Sequence, residues 1–130
     1  MHPYLFADIC FLCIWFAFFL ISPQGRRRMI LYSLVWAPAA PIMQTFYVHD
    51  YWMPEYLIQF DVAGLVFGIE DFLFAFTVAG IVAAIFDLSL RRMGYRVDDR
   101  IPLRGYLKLQ GLGLVCPLLL GGLMYLFQLN

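Results

Sequence analysis

The stretch FGIEDFLFAF, from Phe67 to Phe76, places two adjacent carboxyl groups, Glu70 and Asp71, at the head of an almost purely apolar and aromatic run. The apolar residues continue to Leu90, so the run is long enough to cross a bilayer as a helix. Ionisable side chains inside membrane segments are rare and costly, and they point to function by default. The position of these two acids therefore decides both the fold and the function that the sequence predicts.

The composition indicates one membrane domain covering residues 1–130. The chain is 63% hydrophobic and 14% charged, against roughly 45–50% and about 25% in soluble domains. We expect an all-α fold, a polytopic membrane bundle of about four transmembrane helices. The apolar segments are residues 4–21, 29–48, a span within 57–90, and 107–129.

Glycine and proline residues mark where these segments break. Ser22, Pro23 and Gly25 end the first segment, and Pro38 and Pro41 predict a kink or unwound turn in the second. Residues 57–86 would form about 45 Å of straight helix, against a hydrocarbon core of about 30 Å. We therefore expect the third helix to start near Gly68 and end near Leu90, after a re-entrant or interfacial piece.

The basic residues predict the orientation. All nine lie in two clusters, at 26–28 and between 91 and 108, whereas the connection 47–61 has none and carries three acids. The positive-inside rule places the loops 22–28 and 91–108 in the cytoplasm. We expect a multi-pass protein of the cell (cytoplasmic) membrane with both termini outside, and no nucleic-acid partner.

The two acids in the first turn of a membrane helix have two interpretations. A helix N-terminus favours negative charge by about 0.3–1 kcal/mol, so Glu70 and Asp71 could simply anchor the helix at the interface. Alternatively, they are catalytic. Apolar surroundings disfavour the charged form of a carboxyl group, and two adjacent carboxyls resist double ionisation. One acid could then donate a proton while the other stabilises a cation or accepts a proton.

The aromatic residues fit cation chemistry. Phe74 and Thr77 share a helix face with Glu70 and Ile81 at helical spacing. Tyr51 and Trp52 of the outer loop could add π faces toward a carbocation. We treat Phe74, Trp52, Tyr51 and Thr77 as candidate substrate-binding residues. The alternative is that these aromatics only face lipid or anchor the interface.

Two other patterns predict no site. His49, Asp50 and Glu55 lie close in sequence, but the only other histidine is His2, and we expect no metal site. Cys10 and Cys13 have the spacing of a redox or metal pair. They lie inside an apolar run without a second pair, so they are interpreted as apolar packing.

The run GIEDFLFAFTVAGIVAAIF, from Gly68 to Phe86, resembles the signature of the small membrane lycopene cyclase domain, the carotenoid cyclase family of bacteria, archaea and fungi. The family motif is Pro-x-Glu-Glu followed by an aromatic-rich helix. The upstream stretch HDYWMPEYL, from His49 to Leu57, is similar to the family's loop with Asp and Trp. The resemblance covers about residues 5–90. Gly68 stands where the family has Pro, and Asp71 where it most often has Glu.

The resemblance implies a redox-neutral, proton-initiated cyclisation of a lycopene-type end group, without a cofactor. By position, Glu70 and Asp71 would be the catalytic acids. The substrate, a carotenoid or prenyl compound, would enter from the bilayer. Because the family works as paired halves, the chain would form a homodimer or a heterodimer with a sister half. The pairs Gly64/Gly68 and Ala79/Ala83 are candidate close helix contacts.

Other functions stay open from the sequence. The chain could be a non-catalytic scaffold or partner subunit, or a related carotenoid hydratase or prenyl cyclase. Proton or ion conduction is a weaker alternative, because only Asp8 and Asp87 could extend a path from Glu70 within the spans. Asp87 lies about 260° round a helix from Glu70 by the 3.6-residue period, so we do not expect the two to align.

Overall fold

The computed structural model describes residues 3–47, 56–62 and 65–95, together with isolated helical positions between 104 and 123. The described part is mostly helical, with one small sheet. In chain order the elements are α1 (Pro3–Ile21), α2 (Arg26–Trp36), α3 (Ala39–Tyr47), β1 (Gln59–Val62), β2 (Leu65–Gly68) and α4 (Ile69–Arg92).

The helix breaks lie where the sequence predicts them. Helix α1 ends at Ile21, and the backbone N–H of Gly25 donates to the Ser22 carbonyl at 3.0 Å in the turn before α2. Helix α2 ends at Trp36, and α3 begins at Ala39, just after Pro38. The predicted second segment is therefore two short helices with an interruption, because a proline removes a helix hydrogen bond and clashes with the preceding turn.

Helix α4 begins at Ile69 and ends at Arg92, which confirms a start near Gly68 and an end near Leu90. Gly94 has a φ of 85°. The N–H groups of Gly94 and Tyr95 donate to the carbonyls of Arg91 and Leu90, at 3.0 Å each. These bonds are those of a Schellman motif, which satisfies carbonyls at the end of a helix.

The residues before α4 form an antiparallel β-hairpin, so the mostly helical fold contains one small sheet that the sequence did not predict. Gln59 pairs with Gly68, and Phe60 pairs with Phe67, whose ring centroid lies 5.7 Å from that of Phe60. Cross-strand aromatic pairs of this kind stabilise a hairpin. Strand pairing also provides hydrogen-bond partners for the backbone N–H and C=O groups of this segment.

Helix α4 is the centre of the bundle and packs against α1, α2 and α3. The core consists of Trp15, Met29 and Ala84. Next to them, the indole N–H of Trp15 donates to the Ser33 hydroxyl at 3.0 Å, and both groups lie against Gly80. Gly80 thus allows the close approach of α1 and α2 to α4, as small residues do in membrane bundles.

The interior of the described part is polar and its surface is apolar. Eight polar or charged residues are buried, against four hydrophobic ones. Helix α1 exposes Phe6, Leu12, Phe16 and Leu20. Helices α1 and α4 are long and apolar enough to cross a bilayer. An apolar outside around ionisable residues that face the bundle interior is the distribution expected of a protein embedded in lipid.

The structure supports a helical bundle with two candidate membrane-spanning helices, but it does not confirm the predicted four spans. Helices α2 and α3 have 11 and 9 residues. A membrane span needs about 20 residues, so neither helix alone is long enough. Of the predicted fourth segment, the structure describes only helical positions such as 111, 115 and 119, and the rest lies outside the described residues.

The basic segments meet at one end of the bundle. The Arg91 guanidinium donates to the side-chain carbonyl of Gln24, which joins the end of α4 to the α1–α2 turn. Arg28 forms a buried ion pair with Asp87. Arg26 donates to the Phe19 carbonyl at 2.7 Å and so satisfies a carbonyl near the end of α1. The beginning of α4, with its two acids, lies at the opposite end.

Replacing Gly80 by alanine tests this packing. The added methyl group would collide with the Trp15 indole and the Ser33 hydroxyl. Overpacking of this kind costs about 1–3 kcal/mol. We expect Gly80→Ala to lower the thermal denaturation midpoint of the detergent-solubilised protein, followed by circular dichroism. Gly111→Ala is the matched control, because its added methyl group meets no described atom within 4 Å. Equal midpoints for the two variants would contradict the packing.

Candidate functional site

Three carboxyl groups are buried where α1 meets the beginning of α4. Asp8 is 0% exposed, Glu70 1% and Asp71 3%. The Tyr4–Asp71 hydrogen bond and the Phe11–Phe74 ring contact lie on either side of Asp8 along α1, so they bring this part of α1 against the first turns of α4. The predicted location of Glu70 and Asp71 in the first turn of α4, facing other protein, is confirmed. Sequence reasoning missed Asp8 as a site residue, although its isolation as the one charge in an apolar segment was a signal.

Both carboxylate oxygens of Asp71 have hydrogen-bond partners. Oδ2 accepts the backbone N–H of Gly68 at 2.9 Å, and Oδ1 accepts the Tyr4 hydroxyl, also at 2.9 Å. Asp71 is the third residue of α4, where a side chain that reaches back to the N-cap N–H satisfies a donor at the helix start. Asp71 therefore fixes the beginning of α4 and ties α1 to it.

The carboxyl group of Glu70 is only half satisfied. Its Oε1 accepts the backbone N–H of Leu57 at 2.6 Å, which holds the chain entering the hairpin against α4. Its Oε2 is buried and has no hydrogen-bond partner among the described residues. Adjacent in sequence, Glu70 and Asp71 thus differ in chemistry, because only Glu70 has an oxygen available.

Asp8 is the least satisfied of the three acids. Both of its carboxyl oxygens are buried without a hydrogen-bond partner in the part of the chain that the structure describes. Burying a polar group without a hydrogen bond is costly, and each such group in a folded protein requires an explanation. Asp8 and Glu70, which come from different helices, are therefore the two acids of this site that can still bind or exchange a proton.

Gly68 joins the hairpin to the beginning of α4. Its N–H donates to Asp71, and a proline at this position would have no N–H to donate. A Cβ atom at Gly68 would also collide with the Tyr56 ring and approach Glu70 Oε2. The Tyr56 ring lies beside that of Tyr4, with 6.3 Å between centroids. Gly68 and Asp71 thus form one capping unit at the beginning of α4.

The structure describes two of the four predicted substrate-binding residues, Phe74 and Thr77. Phe74 is 38% exposed and contacts Phe11 edge to face, with ring centroids 5.6 Å apart. Thr77 is buried, and its hydroxyl donates to the carbonyls of Leu73 and Phe74 within α4. Tyr51 and Trp52 lie outside the described residues. The structure therefore places Phe74 one helical turn from Glu70 but at the edge of the buried face, whereas Glu70 and Thr77 are fully buried.

Asp87 is buried on α4 like Glu70, but it pairs with Arg28 of α2, which agrees with the expectation that the two acids do not align. The predicted close contacts of small residues are corrected. The buried small residues are Gly80 and Ala84, whereas Ala79 and Ala83 are half-buried. Gly68 lies in β2 and so does not mediate a helix contact, and Gly64 lies outside the described residues.

The remaining sequence candidates are the possible metal ligands and the cysteine pair. No group of three or more metal-binding side chains suited to an ion occurs among the described residues. His49, Asp50 and Glu55 lie outside them. Cys10 and Cys13 are exposed free thiols on α1.

Comparison with known proteins gives no relative for this chain. No family model, curated protein or solved structure matches it.

Substitution of Asp71 tests whether Asp71, and not Glu70, stabilises the beginning of α4. Asp71→Ala removes the partner of both Gly68 and Tyr4. Loss of a helix-capping side chain costs about 0.5–2 kcal/mol. We expect a lower denaturation midpoint in detergent. Glu70→Gln keeps an oxygen to accept the Leu57 N–H and should shift the midpoint little. A larger loss in Glu70→Gln than in Asp71→Ala would contradict these roles.

Proposed function

We propose that this chain is a multi-pass protein of the cell membrane that catalyses redox-neutral, proton-initiated cyclisation of an apolar polyene, of the lycopene end-group type. The observation that supports this most is the buried, unpartnered Oε2 of Glu70. A carboxyl group inside an apolar bundle, without a partner for one oxygen, is suited to giving a proton to an alkene. A structural acid such as Asp71 is not.

The proposed reaction has three steps: protonation, ring closure and loss of a proton. The Glu70 carboxyl protonates a terminal carbon–carbon double bond of the substrate, forming a C–H bond and a tertiary carbocation. A second double bond of the same chain attacks the cation and closes a six-membered ring. Loss of a proton from the ring cation restores a double bond. No electrons enter or leave, so the reaction needs neither an oxidant nor a redox cofactor.

In the proposed reaction two aromatic rings stabilise the cation. Phe74 follows Glu70 by one helical turn on α4, and Phe11 follows Asp8 by about one turn on α1. The two rings contact each other edge to face. Aromatic faces attract cations by about 0.5–2 kcal/mol, more when water is excluded. Phe74 was predicted from the sequence as a substrate-binding residue. Phe11 is added as a second one because its ring contacts that of Phe74.

The arrangement of charges supports a proposed topology. Gln24 and Arg91 bring the two basic segments to one end, which the positive-inside rule assigns to the cytoplasm. The acids then lie toward the outer side, with both termini outside in a four-span arrangement. A bilayer-dissolved polyene would reach them laterally, between α1 and α4. Pairing with a second copy or a sister half remains part of this proposal, on the strength of the family resemblance.

Glu70→Gln tests the proposed activity. The chain is expressed in a lycopene-accumulating bacterial host, and the carotenoids are separated by chromatography. We expect the wild type to form a cyclised product. Because general acid catalysis contributes about 10²–10⁴-fold, Glu70→Gln should reduce that product by at least about 100-fold. Asp61→Asn makes the same carboxyl-to-amide change at an exposed position of β1 and should leave it unchanged.

Other outcomes identify the alternatives. Unchanged lycopene with wild-type protein folded in the membrane would contradict the proposal for this chain acting alone. A hydrated product that depends on Glu70 would indicate a hydratase, in which water captures the same cation. A scaffold or partner subunit would instead show a change in assembly on size-exclusion chromatography in Glu70→Gln, with no new pigment in any variant.

A further inference from the structure

We propose that Asp8 is a catalytic residue of this site and serves as the base that accepts the proton lost from the ring cation. This inference rests on the proposed function. The family resemblance carries over only Glu70 and Asp71, so Asp8 is assigned from the structure alone.

The assignment follows from which carboxyl oxygens are free to react. Three acids are buried together, which gives six oxygens. Asp71 uses both of its oxygens to hold Gly68 and Tyr4, and Glu70 uses one to hold Leu57. The remaining three are Glu70 Oε2 and both oxygens of Asp8, all buried without a hydrogen-bond partner among the described residues. The free oxygens therefore belong to two acids on two helices.

A cyclisation of this kind requires two proton transfers at different carbon atoms. The atom that receives the proton is an alkene carbon at the end of the chain, and the atom that loses one belongs to the new ring. A single carboxyl group would have to reach both. Glu70 on α4 and Asp8 on α1 present two carboxyls from two sides, and the Phe11–Phe74 pair lies about one turn further along both helices.

The proton balance closes with these two groups. The O–H bond of Glu70 breaks as the substrate C–H bond forms, which leaves a Glu70 carboxylate. Ring closure moves the cation within the substrate. A ring C–H bond then breaks, its electrons form the product double bond, and its proton goes to the Asp8 carboxylate. Proton transfer from Asp8 to Glu70 then regenerates the starting state.

The test uses Asp8→Asn in the lycopene-accumulating host, with membranes also incubated with lycopene in heavy water. We expect the cyclised product to fall by at least about 100-fold. Because Glu70 still protonates the substrate and the cation then reverts, lycopene recovered from Asp8→Asn should carry deuterium. Glu70→Gln should give neither product nor deuterated lycopene. Asp8→Glu restores a carboxyl group and should recover part of the product.

The outcomes separate this inference from the proposed function. Full activity of Asp8→Asn beside an inactive Glu70→Gln would overturn the role of Asp8 and leave the proposed function intact. Loss of product in Asp8→Asn without deuterium in the recovered lycopene would also overturn it, because Asp8 would then act before protonation. An inactive wild type, or an active Glu70→Gln, would overturn the proposed function itself. If Asp8→Asn does not accumulate in the membrane, Asp8→Ser removes the same carboxylate and is judged by the same criteria.

Discussion

Three carboxyl groups that must be shielded from lipid determine how α1 and α4 pack. An ionisable group exposed to the hydrocarbon is costly, so Asp8, Glu70 and Asp71 are enclosed where the two helices meet. Elsewhere the same constraint keeps Arg28 and Asp87 together inside the bundle. The apolar side chains face outward, and helix contact depends on close packing at Gly80 and on polar pairs such as Trp15 with Ser33.

The hairpin and the cap of α4 fix the relative positions of α1, α4 and the buried acids. Asp71 binds the Gly68 N–H and the Tyr4 hydroxyl, and Glu70 binds the Leu57 N–H, so the acids hold α1, the hairpin and α4 in register. After these bonds are made, Glu70 and Asp8 retain free oxygens. One acid of the adjacent pair therefore positions the site, and the other reacts together with Asp8 in the proposed chemistry.

Local signals in the sequence predicted the helix boundaries well. Proline 38 interrupts the second segment and Gly68 precedes α4, because these residues act through the backbone at their own positions. The sequence did not predict the hairpin, since an apolar run of this length suits a helix or a strand. Nor did it pair Asp8 with Glu70, because the α1–α4 contact is tertiary; the Tyr4–Asp71 bond joins residues 67 positions apart.

The most direct test of the account is a double-mutant cycle between Asp8→Asn and Glu70→Gln. Free energies of unfolding are measured in mixed micelles for the wild type, both single variants and the double variant. Residues in contact show coupling energies of about 0.5–3 kcal/mol, whereas distant sites add within about 0.3–0.5 kcal/mol. The account predicts coupling of at least about 0.5 kcal/mol, because the two carboxyls share one buried site. Additive effects would show that Asp8 and Glu70 do not interact and would contradict the account.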